Sequence, residues 1–239
     1  MMKRIIGPRF IGASLVLLLC IPGRAQKSAM TESLPELDVH VGLNLNVRLV
    51  FQDKRMLDDS GLIGTELGPS IEFYLKPIRI LREVTLFNLD ETKSVPLTMS
   101  IGYRKLIYPG KPTTSRVDPV VEVHLPLWGH ILVTDRNRAD IDRTDGSLDW
   151  RYRNRLTMER RFTIRSYHPG PYASVEFLHT SRYGKWSNTR LDVGCLLPLS
   201  RHLDLDSYYE HDNDTGPRPN QQINAAGFIL NLYFPRHMK

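Results

Sequence analysis

The chain has 239 residues, which suits one large domain or two small ones, and a formal net charge of +6. Much of this charge belongs to the first 25 residues, which hold four basic residues and no acid, so residues 26–239 carry only +2. Nucleic acid is therefore not expected as a partner, because its binding needs a clustered excess of basic residues. After residue 25 a single cysteine remains, Cys195, which excludes an intrachain disulfide and a two-cysteine metal site.

The N-terminal segment has the layout of a secretory signal peptide. Basic residues in MMKRIIGPRF precede the apolar run IGASLVLLLCI, and Gly23 and Ala25 form a small-x-small pair suited to cleavage after Ala25. The apolar run is shorter than the roughly 20 residues that a transmembrane helix needs. Residues 1–25 are therefore predicted to be a cleaved signal peptide, followed by a linker at 26–36.

From residue 37 onward, apolar and polar residues alternate with a period of two, which is typical of β-strands. In LDVHVGLNLNVRLVF (37–51) eight apolar residues, at every odd position from 37 to 51, fall on one face. No segment of about 12 residues fits an amphipathic helix better, so any membrane residence must be through strands. Ten strands are predicted, near 37–51, 63–76, 95–107, 116–126, 129–142, 147–165, 171–180, 187–199, 203–212 and 222–234.

The predicted connections alternate in length, with short turns at 126–129, 166–170 and 199–202 and longer polar loops at 52–62, 108–115, 181–186 and 213–221. Such alternation is typical of outer-membrane barrels, in which one end carries turns and the other carries loops. The connection 77–94 is long where a turn is due. If REVTLFNL (82–89) forms an extra hairpin there, the strand count becomes twelve.

Two all-β architectures fit this pattern: a soluble sandwich or lipocalin-like barrel with its apolar face inside, and a membrane barrel with its apolar face toward lipid. Strands of ten or more residues favour the membrane barrel, and so does the final segment FILNLYF, which resembles the targeting signal read by the barrel-assembly machinery. Aromatic residues near strand ends favour it as well, as expected of interfacial girdles. They are Trp128, Trp150, Tyr152, Phe162, Tyr172, Trp186, Tyr208 and Tyr209.

The resulting prediction is an antiparallel transmembrane β-barrel over residues 37–234, with a short tail at 235–239. It places the protein in the outer membrane of a Gram-negative bacterium. Its expected partners are outer-membrane lipid and, during biogenesis, the barrel-assembly machinery.

Two neighbouring strands, DRNRADID (135–142) and DWRYRNRLTMERRF (149–162), predict a ladder of charges inside the barrel, because the TDG turn brings them together. The predicted lumen-lining residues are Arg136, Arg138, Asp140, Asp142, Arg151, Arg153, Arg155, Glu159 and Arg161. Asp192 and Glu210 are expected to pair with them as well. The same alternation places Asn137 and Asn154 on the lipid face, where they fit badly.

The ladder allows two interpretations. In the preferred one, the arginines pair with the acids and fill the barrel, which then has a structural or surface-interaction role, because buried charges are normally paired. In the alternative, the arginines serve a small anionic solute in a binding site or channel.

A third interpretation is enzymatic. EFLHTS (176–181) places His179 and Ser181 on one strand face, an arrangement that weakly resembles the His-x-Ser pair of outer-membrane lipid deacylases. Glu176 falls on the opposite face, so the acid needed to orient the histidine is missing there. His179 and Ser181 are thus remote catalytic candidates only.

No cofactor and no metal site is predicted. EHDNDTG (210–216) concentrates three acids at a predicted loop, but it lacks the spacing of a calcium-binding EF-hand and is expected to be a solvated loop. The histidines show no HExxH motif or close pair suited to zinc.

Several blocks resemble a family of bacterial proteins known only as a domain of unknown function and predicted to be outer-membrane β-barrels. They include RYRNRL, GKWSNTR, YYEHDND and NAAGFILNLYF, and the similarity covers most of residues 37–234. The resemblance implies the fold and the location, and it implies no activity and no catalytic residue.

Overall fold

A computed structural model of the protein describes residues 30–44, 46–75, 90–216 and 221–234. They form one closed barrel of eleven strands. The strands are β1 Met30–Asn44, β2 Val47–Asp58, β3 Gly61–Tyr74, β4 Leu97–Ile107, β5 Thr114–Leu127, β6 Ile131–Thr144, β7 Ser147–Arg160, β8 Gly170–Thr180, β9 Lys185–Ser200, β10 Leu203–Asp214 and β11 Gln221–Phe234.

A 3-10 helix, Glu91–Ser94, precedes β4, and no helix within the described ranges is long and apolar enough to cross a membrane. The predicted signal peptide, the predicted extra hairpin at 82–89 and the predicted tail lie outside the described residues.

Consecutive strands pair in antiparallel fashion, and the barrel closes where β1 runs parallel to β11, from Met30 opposite Ile223 to Val41 opposite Phe234. A parallel closing pair is the geometric consequence of an odd strand count, because the first and last strands then point the same way. The prediction of ten or twelve strands, all antiparallel, is therefore wrong in its count and in its closing pair. We call the two rims the N-terminal end, where β1 begins, and the C-terminal end, where β11 ends.

The miscount arises at the turn between β1 and β2. Asn44 Oδ1 accepts a hydrogen bond of 2.8 Å from the Asn46 backbone N–H, and the chain reverses over two residues. A two-residue turn preserves the period of two, so the sequence alternation continues through it as if 37–51 were one strand. β2 then extends to Asp58, through most of the predicted loop 52–62, and β1 begins at Met30, within the predicted linker.

The connections do not divide into a short-turn end and a long-loop end as predicted. At the N-terminal end, the turns after β2 and β6 have two residues each, and the connection after β4 spans 108–113. The two longest connections, 75–96 and 161–169, both lie at the C-terminal end. Within the second, Ile164 and Tyr167 form an isolated β-bridge.

Alternate residues of each strand face the interior and the others form the outer wall. Large hydrophobic side chains are exposed along this wall, while polar and charged side chains outnumber hydrophobic ones among the buried residues of the described chain. The outer residues include Leu37, Phe51, Phe73, Ile101, Leu125, Leu156, Phe177 and Phe228. This distribution is the inverse of that of a water-soluble barrel.

The aromatic residues expected at the rims are only partly there. Trp128, Trp150 and Trp186 are exposed, and Trp128 is 98% exposed at a turn of the C-terminal end. Tyr172 and Tyr208 point into the interior, each over a glycine of the neighbouring strand. A Cβ at Gly227 would overlap the Tyr208 ring, so the ring in this position needs a residue without a side chain beneath it.

The charged barrel interior as candidate functional site

Asp140 on β6 is the centre of the charged interior. Its side chain is fully buried and accepts a hydrogen bond from Arg138 Nε. Asp140 Oδ2 lies 3.2 Å from Arg151 Nη2, 3.7 Å from Arg153 Nη1 and 4.0 Å from Arg116 Nη1. The register of β6 and β7 places Asp140 directly opposite Arg151, so one hairpin supplies most of this cluster.

Asp142, two residues further along β6, forms a bidentate ion pair. Arg116 donates to its two carboxylate oxygens from Nε at 2.7 Å and from Nη2 at 3.0 Å. Arg151 Nη2 lies 3.2 Å from Asp142 Oδ2, and Arg116 Nη1 also donates to Glu66 at 3.3 Å. Bidentate guanidinium–carboxylate pairs are stronger and more specific in geometry than single contacts. Arg116 therefore joins β5, β6 and β3 through their interior side chains.

Arg153 and Arg155 share a second carboxylate, on β8. Glu176 accepts from Arg153 Nη2 at 2.6 Å and from Arg155 Nε at 2.9 Å. Arg155 Nη2 also lies 3.5 Å from Asp192 on β9. Arg155 thus points away from Asp140 and Asp142 and toward the far side of the hairpin, because β8 and β9 follow β7 around the barrel.

The remaining members of the ladder lie nearer the C-terminal end. Arg136 Nε is 3.2 Å from Glu122 on β5, and Glu159 pairs with Lys93, whose Nζ lies 2.5 Å away. Arg161 follows the end of β7 and is half-buried beside a small cavity that Glu159 also lines. The charges on β6 and β7 are therefore divided among several carboxylates, and Arg153 joins two of these clusters because it contacts both Asp140 and Glu176.

The segment containing the 3-10 helix is bound to interior charges at the C-terminal end. Arg48 donates from Nη1 to Asp90 at 2.9 Å and from Nε to Glu72 at 2.7 Å. Burial alone raises the pKa of the Asp90 carboxyl, but Arg48 and Lys93 outweigh it and hold that pKa well below its usual range. Asp90 also caps the helix by accepting from the Thr92 backbone N–H at 3.2 Å. Two ion pairs, from Asp90 and Lys93, thus hold this segment against the barrel.

Several interior charges were not assigned by sequence reasoning. Arg104 Nε lies 3.2 Å from Asp118 and 3.6 Å from Glu66, and Arg138 Nη2 approaches the same two acids. Asp118 is only 1% exposed. The sequence does indicate that these residues face the interior, because they continue the period-two polar face on β3 to β5. It does not indicate their partners, because contacts between strands depend on how the barrel closes.

Near the C-terminal end, the wall formed by β10 and β11 carries two acids of a different kind. Asp206 accepts from the Tyr172 hydroxyl at 3.0 Å, and the fully buried Asp204 accepts from Asn231 Nδ2 at 2.7 Å. Neither acid has a basic group within 4 Å in the described parts of the chain. Neutral donors thus bind Asp204 and Asp206, whereas guanidinium groups bind the acids around Asp140 and, further along β10, Glu210 and Asp212.

Cavities remain between these groups. One of about 290 Å³ lies in the middle of the barrel and contacts eight arginines and Lys54. A second, of about 320 Å³, opens at the N-terminal end next to Asp142, Arg151 and Asp214. The arginines around the central cavity are Arg104, Arg116, Arg136, Arg138, Arg151, Arg153, Arg155 and Arg190. Each of them has a carboxylate within 4 Å.

The remote catalytic candidates do not form a pair. The His179 ring lies on the outer wall between Trp150, at 5.6 Å between centroids, and Trp186, also at 5.6 Å. Ser181 Oγ accepts from the Trp150 backbone N–H at 3.0 Å. Among the described residues, no hydrogen bond joins His179 to Ser181. Glu176 points into the interior, so this arrangement offers no oriented base for a serine nucleophile.

The acids of EHDNDTG belong to β10 and not to a loop, which corrects the expectation of a solvated segment. Arg190 lies 3.2 Å from Glu210 and 2.9 Å from Asp212, and both acids are buried. Asp214 is the last residue of β10 and accepts from the Gly216 backbone N–H at 2.7 Å. The part of the chain that the structure describes holds no group of three or more metal-binding side chains.

A comparison with profiles of known protein families finds no match, and a search of curated proteins finds no similar sequence. Fold and geometry are therefore the grounds on which a function can be assigned.

Proposed function

We propose that this protein is an outer-membrane β-barrel, exported by the signal peptide at 1–25, whose interior is closed by ion pairs and whose role is structural or in surface interaction. The observation that carries the proposal is the reversed distribution of side chains, with exposed hydrophobic residues outside and buried charges inside. In water this distribution would be costly, whereas lipid stabilises an apolar outer wall.

Other features support the same location. Trp128 and Phe162 lie near one rim and Trp150 and Trp186 near the other, as interfacial aromatic residues do. The last strand ends at Phe234 on the outer wall. The eleven strands with a parallel closing pair depart from the even count typical of bacterial outer-membrane barrels, so the location requires a direct test.

That test is separation of inner and outer membranes after expression with the native N-terminus. We expect the protein in the outer-membrane fraction, with a gel mobility that changes on heating because a folded barrel resists detergent. Recovery in the soluble periplasmic fraction would refute the proposed location.

The closed interior predicts that the barrel does not conduct ions freely. Each arginine around the central cavity is neutralised by a carboxylate, and the segment at 90–94 is bound to the interior by Arg48 and Glu159. In planar lipid bilayers we expect no stepwise conductance from the purified protein. Reproducible channel openings would contradict the closed interior.

A second candidate function, binding or passage of a small anionic solute, is favoured by one observation: eight arginines line the central cavity. This candidate predicts a conductance with anion preference that is lost in Arg153→Glu. The matched control is Arg55→Glu, because Arg55 is exposed on the outer wall and does not line the central cavity.

A further inference from the structure

A polar cluster interrupts the apolar outer wall on the β6–β7 hairpin. It consists of Asp135, Asn137, Tyr152 and Asn154, all of them half-buried. We call these four residues the outer polar cluster. Apolar outer-wall residues flank Asp135, Asn137 and Asn154, namely Val121 and Val123 on β5, Leu156 on β7, and Val175 and Phe177 on β8, while Tyr152 lies opposite His179.

The cluster lies well inside the height of the barrel. Asp135 is four residues from the start of β6 at Ile131, and Asn154 lies in the middle of β7. With a rise of about 3.3 Å per residue and a strand tilt of about 40°, these residues are roughly 10 and 15 Å from the C-terminal end. If the barrel spans a membrane as proposed above, both positions fall within an apolar band about 25 Å tall.

Hydrogen bonds inside the cluster use most of its polar atoms. Asn154 Nδ2 donates to Asp135 at 2.8 Å and to Asn137 at 3.1 Å, while the Tyr152 hydroxyl donates to Asn137 Oδ1 at 2.5 Å. Asn137 Nδ2 donates one hydrogen to Asp135 at 3.3 Å. Within the described chain this leaves the second Nδ2 hydrogen of Asn137 and the Oδ1 atom of Asn154 without a partner. The cluster therefore presents one free donor and one free acceptor side by side.

We propose that the outer polar cluster is the contact surface between two copies of this chain in the membrane. Under a two-fold axis, Asn137 of each copy donates to Asn154 of the other, so two equivalent hydrogen bonds give the free donor and the free acceptor of each copy one partner each. Lipid chains offer no donor or acceptor, and an acid facing lipid destabilises a barrel. A second copy supplies matching groups at the same depth and shields Asp135 from lipid.

The small side chain beside the cluster favours a close approach. Ala139 is the next outer residue of β6 and lies opposite Tyr152 in the register. Small residues at an interface let two walls approach closely enough for side-chain hydrogen bonds across it. The proposal rests on the membrane location proposed above, because in water the same cluster would simply be hydrated.

Energy transfer between copies tests the proposal with the native Cys195. This cysteine lies on the outer wall of β9 and is the only one after the predicted cleavage site. Separate batches labelled with donor and acceptor dyes are mixed in lipid vesicles at increasing dilution. We expect transfer that persists on dilution for the wild type, and a dimer dissociation constant raised roughly tenfold or more in Asn137→Leu/Asn154→Leu.

The matched control is Asn224→Leu, which removes an outer-wall amide on β11, away from the cluster, and should leave the transfer unchanged. Heat-modifiable gel mobility shows that each variant is folded. A wild type that is monomeric in vesicles, or a double variant that associates equally well, would overturn the proposed pairing and leave the membrane location intact. Recovery of the protein from the soluble fraction would instead refute the location, and with it the pairing.

Discussion

Removal of the Asp140 carboxylate tests whether the charged interior is shielded from water. In Asp140→Ala the guanidinium groups of Arg138, Arg151 and Arg153 lose a common, fully buried partner. The cost then comes from positive charge left in a poorly solvated space. It does not depend on the packing volume of the small aspartate side chain.

The expected loss of unfolding free energy depends on which carboxylates each arginine still contacts in the variant. Breaking a buried ion pair typically costs about 3–5 kcal/mol. Here Arg151 retains Asp142 and Arg153 retains Glu176, at 3.2 and 2.6 Å, so the loss is shared. We therefore expect the lower part of that range, about 3 kcal/mol. Asp59→Ala removes an exposed acid in the turn after β2 and should change the free energy of unfolding by less than about 0.5 kcal/mol.

The assay is urea unfolding of the purified barrel, followed by tryptophan fluorescence. Asp140→Ala should lower the midpoint clearly, and adding Arg151→Met should recover part of the loss, because it removes one of the three guanidinium charges that lose Asp140 as a partner. Equal midpoints for Asp140→Ala, Asp59→Ala and the wild type would show that the interior charges are hydrated. The ion pairs would then contribute only about 0–1 kcal/mol each, and the closed interior would be refuted.

Two further predictions concern the C-terminal end and the interior tyrosines. The lowered pKa of Asp90 contributes stability that is present above the unfolded-state value near 3.9 and is lost as the pH falls toward the folded-state value. Asp90→Asn keeps an acceptor for the helix cap and should therefore lower the free energy of unfolding by about 2–3 kcal/mol at pH 7. Between pH 5 and pH 2 this variant should lose less stability than the wild type, which urea unfolding at each pH would measure. Gly227→Ala should lower the free energy of unfolding by about 1–3 kcal/mol, because its Cβ would overlap the Tyr208 ring, and a double-mutant cycle with Tyr208→Ala should show coupling between the two positions.

The sequence predicts the strands and their two faces well where both faces are distinct. Arg151, Arg153 and Arg155 share the interior face of β7, and Trp150 and Leu156 share the outer one, because a strand reverses side-chain direction at every residue. The number of strands is harder to predict, because the turn between β1 and β2 preserves the alternation and leaves no break in the sequence pattern. Lys54 of β2 faces the interior and pairs with Glu36 of β1, although its segment is predicted to be a loop.

Partner choice inside the barrel could not be read from the sequence. Asp140 pairs with Arg138 on its own strand and Arg151 on the next, which local register explains. Arg155 pairs instead with Glu176, which depends on the position of β8. Lys93 reaches Glu159 from a connection 66 residues earlier in the chain, and no local pattern encodes that contact.

The most direct test of the central claim, that the apolar outer wall faces lipid, uses the three native tryptophans. Trp128, Trp150 and Trp186 are 98%, 47% and 55% exposed. In vesicles containing phospholipids brominated near the headgroup end of their acyl chains, we predict strong quenching of the native fluorescence, because these rings lie near the two rims of the barrel. Fluorescence that is unaffected by brominated lipid, but is quenched by iodide in solution, would place the outer wall in water and contradict the account.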